Sequence, residues 1–190
     1  MLKNLKQTWD LDTFFPGGSN SPEFREYLEE LEQDIKDFSA ELRPGFGQDE
    51  DLLLNVIAKV QDISKRLRHA SAFVSCLGAQ DVHDTQARIL AGRIKQIAAS
   101  FAQILTTLDD ELVKIPDEQW TRVIEETDGL KEIAFNLSER RERAKEMLSP
   151  EQEQLVSKLS VNGYHGWSDL YDLTAGKMNI EVEIEGEKSI

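Results

Sequence analysis

Asp49-Glu50-Asp51-Leu52-Leu53-Leu54-Asn55-Val56-Ile57-Ala58-Lys59-Val60-Gln61-Asp62-Ile63-Ser64-Lys65-Arg66-Leu67-Arg68-His69-Ala70-Ser71-Ala72-Phe73-Val74-Ser75-Cys76-Leu77 is the stretch that decides the fold. Leu53, Val56, Val60, Ile63, Leu67, Ala70, Val74 and Leu77 recur at three and four residues without a break. That period lays one apolar stripe along a helix. Gly78 reads as its stop. Past a short linker, Leu90, Ile94, Ile97, Phe101, Ile104, Leu108, Leu112 and Ile115 repeat the pattern until Pro116. Asp81 or Asp84 can cap this next helix. Two helices of roughly thirty residues extend about 45 Å each. Joined by a short linker, they predict an antiparallel hairpin. The spacing suits coiled-coil-like packing, within one chain or across a dimer; the helix preceding them favours internal packing.

That earlier helix starts at Ser21-Pro22-Glu23, with Ser as N-cap, Pro at the first helical position and an acid in the first turn. Phe24, Leu28, Leu31, Ile35, Phe38 and Leu42 line its inner face, and Arg43-Pro44-Gly45-Phe46-Gly47 ends it. Before it, Trp9 to Pro22 reads as irregular, with Pro16-Gly17-Gly18-Ser19-Asn20 as loop. Beyond Pro116 the helices shorten. One runs through Trp120, Val123 and Ile124 to Thr127, and Asp128-Gly129 interrupts it. The next carries Leu130, Ile133, Ala134 and Leu137 into the charged run 139–146. Ser149-Pro150-Glu151 repeats the start signal for a helix with Leu155, Val156 and Leu159. After Asn162-Gly163, a last helical segment spans Trp167 to Leu173 and stops near Gly176.

The period then changes. Ile180-Glu181-Val182-Glu183-Ile184-Glu185 alternates apolar and acidic, the mark of a strand with one buried face. Glu185-Gly186-Glu187 reads as a turn, with a second strand starting at Lys188 and cut off. The expected fold is therefore all-α, an antiparallel bundle around a long helical hairpin, ending in a short truncated β-ribbon. The expected divisions are a long-helix bundle over 1–115, a second helical segment of the same lobe over 116–178, and the ribbon over 179–190. A lone ribbon is marginal in water, so the chain reads as truncated and this end expects a further partner.

The 190 residues carry a formal net charge of −14, from 36 acidic and 22 basic residues. Such a chain repels phosphate backbones and anionic lipid, which argues against nucleic acid and membrane as partners. The acids fit solvated helix faces; a surface steering cationic peptides is the functional alternative. Cys76 is the one cysteine, so an internal disulfide and a cysteine-based zinc cluster are excluded. It sits near a helix C-terminus, where the dipole disfavours a thiolate, and reads as a small packed hydrophobe. No signal peptide or membrane span is legible, and a cytoplasmic location follows as the expectation.

His69, His83 and His165 are the histidines, and none has another at i+4 or a following Glu. No H-E-x-x-H occurs, the motif that sets two imidazoles on one helix face with a Glu as general base. Pairs such as Glu29-Glu30 and Asp109-Asp110 read as solvated faces, and the Arg140-Arg141-Glu142-Arg143 cluster is too interleaved with acids for a nucleic-acid patch. There is no glycine-rich phosphate loop. Trp167, Leu170 and Tyr171 concentrate apolar area in a short span. They could line a substrate wall or lock the terminal helices together.

The opening Trp9-Asp10-Leu11-Asp12 with Phe14-Phe15-Pro16, the helix from Pro22, and above all Leu159 to Met178 with Gly163-Tyr164-His165-Gly166-Trp167 follow in that order. In these blocks the whole chain resembles the N-terminal region of oligoendopeptidase F, a family of thimet-like bacterial zinc metallopeptidases. The resemblance implies a mostly helical protein with a deep channel that admits short peptides and excludes folded proteins. It implies zinc held by the two histidines of H-E-x-x-H and a later Glu, with the motif Glu activating water. None of those positions exists here, so no catalytic, cofactor-binding or metal residue carries over. Trp167 and Tyr171 are the candidate substrate-channel wall. The implied partners are the catalytic domain of a parent chain and short peptides, and the implied cofactor is zinc in that parent. The alternative is a stand-alone helical protein–protein interaction module.

Overall fold

The computed structural model describes residues 9–148, 150–176, 178, 182–184 and 187–189. Its helices are α1 (Pro22–Glu41), α2 (Glu50–Gln80), α3 (Thr85–Lys114), α4 (Asp117–Glu126), α5 (Ala134–Lys145), α6 (Pro150–Asn162) and α7 (Tyr164–Ala175). The fold class is all-α. The chain divides into two compact units, 1–145 and 146–190. This boundary differs from the expected divisions because α5 packs on α3 and so belongs with the long helices.

In the first unit α2 and α3 pack along each other, and α1 lies against both. Every α3 seam residue from Leu90 to Ile115 is buried. On α2, Leu53, Val56, Ile63, Ala70, Val74 and Leu77 are buried, while Val60 and Leu67 are only partly covered. Ile57 and Phe73 are buried as well, because a helix touching two neighbours needs a stripe wider than a strict seam.

The caps explain the boundaries. Ser21 Oγ accepts from the Phe24 N–H at 3.2 Å, and Asp49 Oδ1 from the Leu52 N–H at 3.0 Å. Asp84 caps α3 through the Ala87 N–H at 2.9 Å. The expected stop at Gly78 is corrected: α2 runs on to Gln80 and ends at Asp81, whose N–H donates to the Leu77 carbonyl. A glycine inside a helix costs about 1 kcal/mol relative to alanine, and here the helix continues past it. The opening segment is ordered into two 3-10 turns, Leu11–Thr13 and Gly18–Asn20. Gly17, at φ 90°, donates its N–H to Asp12 Oδ1. Phe15 is buried beside Phe24 and Phe73, at 4.8 and 4.9 Å between ring centroids.

Ion pairs join α1 to the hairpin. Arg93 Nε and Nη2 donate to the two carboxylate oxygens of Glu32 at 2.9 and 3.0 Å. Arg66 pairs with Asp34. The Arg93 hydrogen bonds hold the Glu32 pKa below its ordinary value against the opposing effect of burial. The stability contributed by Glu32 is therefore complete above the unfolded carboxylate value of about 4.3 and is lost as pH falls through the lower folded value. Glu32→Gln is expected to cost about 0.5–1 kcal/mol near neutrality. Urea midpoints of parent and variant should converge on acidification below about pH 4, and a gap that persisted there would contradict the pair's role. Asp109 has the opposite sign. Burial raises its pKa more than Arg140 lowers it, so folding favours its protonated form and protonation of Asp109 adds stability as pH falls through its folded value.

In the second unit α6 and α7 pack on each other. The expected start signal at Ser149 lies outside the described residues. The expected terminal β-ribbon is not supported as part of the fold. What the described residues carry of it is three antiparallel backbone pairs, Val182 with Ser189, Glu183 with Lys188 and Ile184 with Glu187. A ribbon so short is marginal without a surface to pack on. Ile180, Glu181, Glu185 and Gly186 lie outside the described residues.

Candidate functional site

The α6–α7 junction is built on Gly163. Its N–H donates to the Leu159 carbonyl at 2.9 Å, and its carbonyl accepts from the Trp167 N–H at 3.1 Å. The chain thus leaves one helix and begins the next across a single residue. A Cβ at Gly163 would stand 2.8 Å from the Leu159 oxygen, closer than such contacts occur, and the atom it meets is backbone. Gly163→Ala is expected to strain the junction by about 1–3 kcal/mol. Amide exchange in α7 should then accelerate about tenfold or more. Unchanged exchange would contradict the tight turn.

From this junction α7 carries Tyr164, Trp167 and Tyr171 at spacings of three and four, one helix face. Trp167 is 72% exposed and Tyr171 73%. Leu155, Leu159 and Leu170 are exposed too. Tyr164 meets the His165 ring edge-on at 5.4 Å. The two candidate wall residues thus share one face and present their rings outward. Such rings can cover apolar side chains and flat peptide groups.

Among the described residues there is no group of three or more His, Cys, Asp or Glu able to hold a metal ion. His69 lies beside the rings of Phe14, Phe15 and Tyr27. His83 and His165 are exposed on separate elements. No catalytic step is derived from the described residues. Cys76 is partly buried against the core, as a small packed hydrophobe is.

Two buried charges escaped the sequence reading. Glu111 is 4% exposed. Its Oε2 accepts the Gly45 N–H at 2.7 Å, and Lys114 Nζ donates to its Oε1 at 2.9 Å. It ties the α1–α2 loop to α3, with Gly45 at φ 88°. Arg141, also 4% exposed, donates from Nε to the Leu112 carbonyl at 2.9 Å and from Nη2 to the Ile115 carbonyl at 2.5 Å. It closes the C-terminal end of α3. The signal for Glu111 was an acid beside seam residue Leu112. That for Arg141 was its place one turn after Leu137.

Residues 111–179, from the end of α3 through α7, match the family model for the N-terminal region of oligopeptidase F. That segment is similar to the N-terminal region of oligopeptidase F. It holds Trp167, Tyr171 and the Gly163 junction together with Arg141. The oligopeptidase F match leaves out the Trp9-Asp10-Leu11-Asp12 opening and most of the long hairpin, which stand on the sequence pattern and the packing. No curated protein and no solved structure matches the chain. No described helix is long and apolar enough to cross a membrane.

Proposed function

We propose that the chain is the N-terminal helical lobe of an oligoendopeptidase F-like zinc metalloendopeptidase that hydrolyses short peptides, and that it is not catalytic by itself. The match over 111–179 carries this reading. The lack of an H-E-x-x-H in the 190 residues fits a supporting role. In this reading the partner is the catalytic domain of the same parent enzyme, zinc resides there, and the substrates are short peptides in the cytoplasm of a bacterium. The segment 179–190 leads towards that domain. The outward rings of Trp167 and Tyr171 line the peptide channel it completes.

Quenched fluorogenic peptides incubated with the pure chain and zinc test the first half. No chelator-sensitive cleavage is expected, and such cleavage would overturn it. In the parent enzyme, Trp167→Ala and Tyr171→Ala test the second half. Loss of either ring is expected to raise KM several-fold with a smaller change in kcat, the mark of lost uniform binding. Unchanged peptide kinetics would remove these residues from the channel.

A stand-alone interaction module is the second reading, favoured by the exposed apolar residues of α6 and α7. It differs in requiring no continuation into a peptidase domain.

A further inference from the structure

At one end of the α1–α2 pair a cleft of about 480 Å³ opens to solvent. Its floor and walls are Phe38, Leu42, Phe46, Leu52 and Val56, contributed by the end of α1, the loop after it and the first two turns of α2. Phe38, Phe46 and Val56 belong to the core, so this floor is fixed by the packing beneath it. Leu52 is half-exposed and forms a wall. The volume lies in the range of small-ligand sites.

The charges on its rim do not cancel. Glu41 and Lys59 pair with each other, and Lys59 Nζ also lies 5.4 Å over the Phe38 ring. Arg43 stands on the same rim with no hydrogen-bond or ion-pair partner among the described residues. Of the described charged residues lining the cleft, Arg43 is thus the one cation not neutralised by a partner. A guanidinium binds a carboxylate through two parallel N–H donors. In a chain of net charge −14, a locally cationic apolar cleft is against the general field.

We propose that this cleft binds a small carboxylate with an apolar body, the apolar part against Phe38, Phe46 and Val56 and the carboxylate on Arg43. The site is independent of the peptidase reading, which places its chemistry elsewhere.

Titration of the full chain with octanoate, octanol and octylamine, followed by amide and methyl NMR shifts, tests it. Octanoate is expected to shift Leu42, Phe46, Leu52 and Val56 and to bind about tenfold more tightly than octylamine, the worth of one charge-assisted contact. The overall field of the chain favours the ammonium, so a preference for the carboxylate has to be local. Arg43→Gln should reduce octanoate binding about tenfold and leave octanol binding unchanged. Leu52→Asn should weaken both. Both side chains are outside the core, so the variants keep the parent's helical circular dichroism. An acetylated tripeptide ending in phenylalanine, with free or amidated C-terminus, separates the sources. Binding of the free form with the same shifts makes a peptide C-terminus an occupant, and binding of octanoate alone restricts the site to free carboxylates. Absence of cleft shifts with either carboxylate, equal affinity for octanoate and octylamine, or octanoate binding indifferent to Arg43→Gln would overturn the proposal.

Discussion

Replacing Arg141 by alanine is expected to destabilise the unit of residues 1–145 by about 3–5 kcal/mol. The cause begins with Pro116. In a continuing helix the N–H of residue 116 would donate to the Leu112 carbonyl, but proline has none. Arg141 Nε supplies that donor from α5, and Nη2 serves the Ile115 carbonyl three residues on. Its guanidinium also lies 5.0 Å from the centre of the Trp120 ring on α4. Truncation leaves two acceptors short of a donor and a void beside the indole. The ion pair with Asp117 at 2.7 Å adds little, because that carboxylate is 80% exposed. Arg141→Lys should recover only part of the loss, since an ammonium cannot place two donors in that planar fork. Denaturant unfolding of both variants gives the values. A loss below about 1 kcal/mol for the alanine variant would contradict this account of the α3 terminus.

Phe101→Ala is expected to cost about 3–5 kcal/mol, as for a buried aromatic whose site cannot collapse between two long helices. Phe101 is on the α3 seam and buried. Leu67→Ala should cost markedly less, because Leu67 is only partly buried on the facing helix. The strict three-four spacing makes the two positions equivalent, and the packing separates them. Equal losses would mean that the α2 face is rotated from the arrangement described. The seams are satisfied within one chain, so unfolding midpoints should not move with protein concentration. A concentration-dependent midpoint would mean that the stripe pairs with a second molecule.

The hairpin was legible because its residues repeat one physical demand over thirty positions. Leu90 to Ile115 are buried without exception along the predicted stripe, and Ser21 and Asp84 hold caps that their side chains suggest. Legibility failed where a demand came from outside the helix. Phe73 is buried because Phe15 and Phe24 reach it from the opening segment and from α1. Glu111 is buried because a glycine N–H in a distant loop needs an acceptor. Arg141 looked like one charge in a solvated run, since the carbonyls it serves lie 26 and 29 residues earlier in the chain. Helix periodicity carries none of these contacts.

For the candidate site the order was reversed. The block from Leu159 to Met178 is the part of the sequence that most specifically carries the resemblance to oligoendopeptidase F. It falls within the residues that match the oligopeptidase F model, and the Gly163 turn lies inside it. The two uses foreseen for Trp167 and Tyr171 were a substrate wall and a lock between helices. Both side chains are exposed by nearly three quarters in the structure.

The proposed role is tested most directly by the reading frame of the source downstream of Ile190. A supporting lobe of a zinc peptidase, as proposed, requires that the frame continue and encode an H-E-x-x-H, two imidazoles on one helix face beside a water-activating Glu. A stop codon directly after Ile190 would contradict it and leave the interaction module in its place.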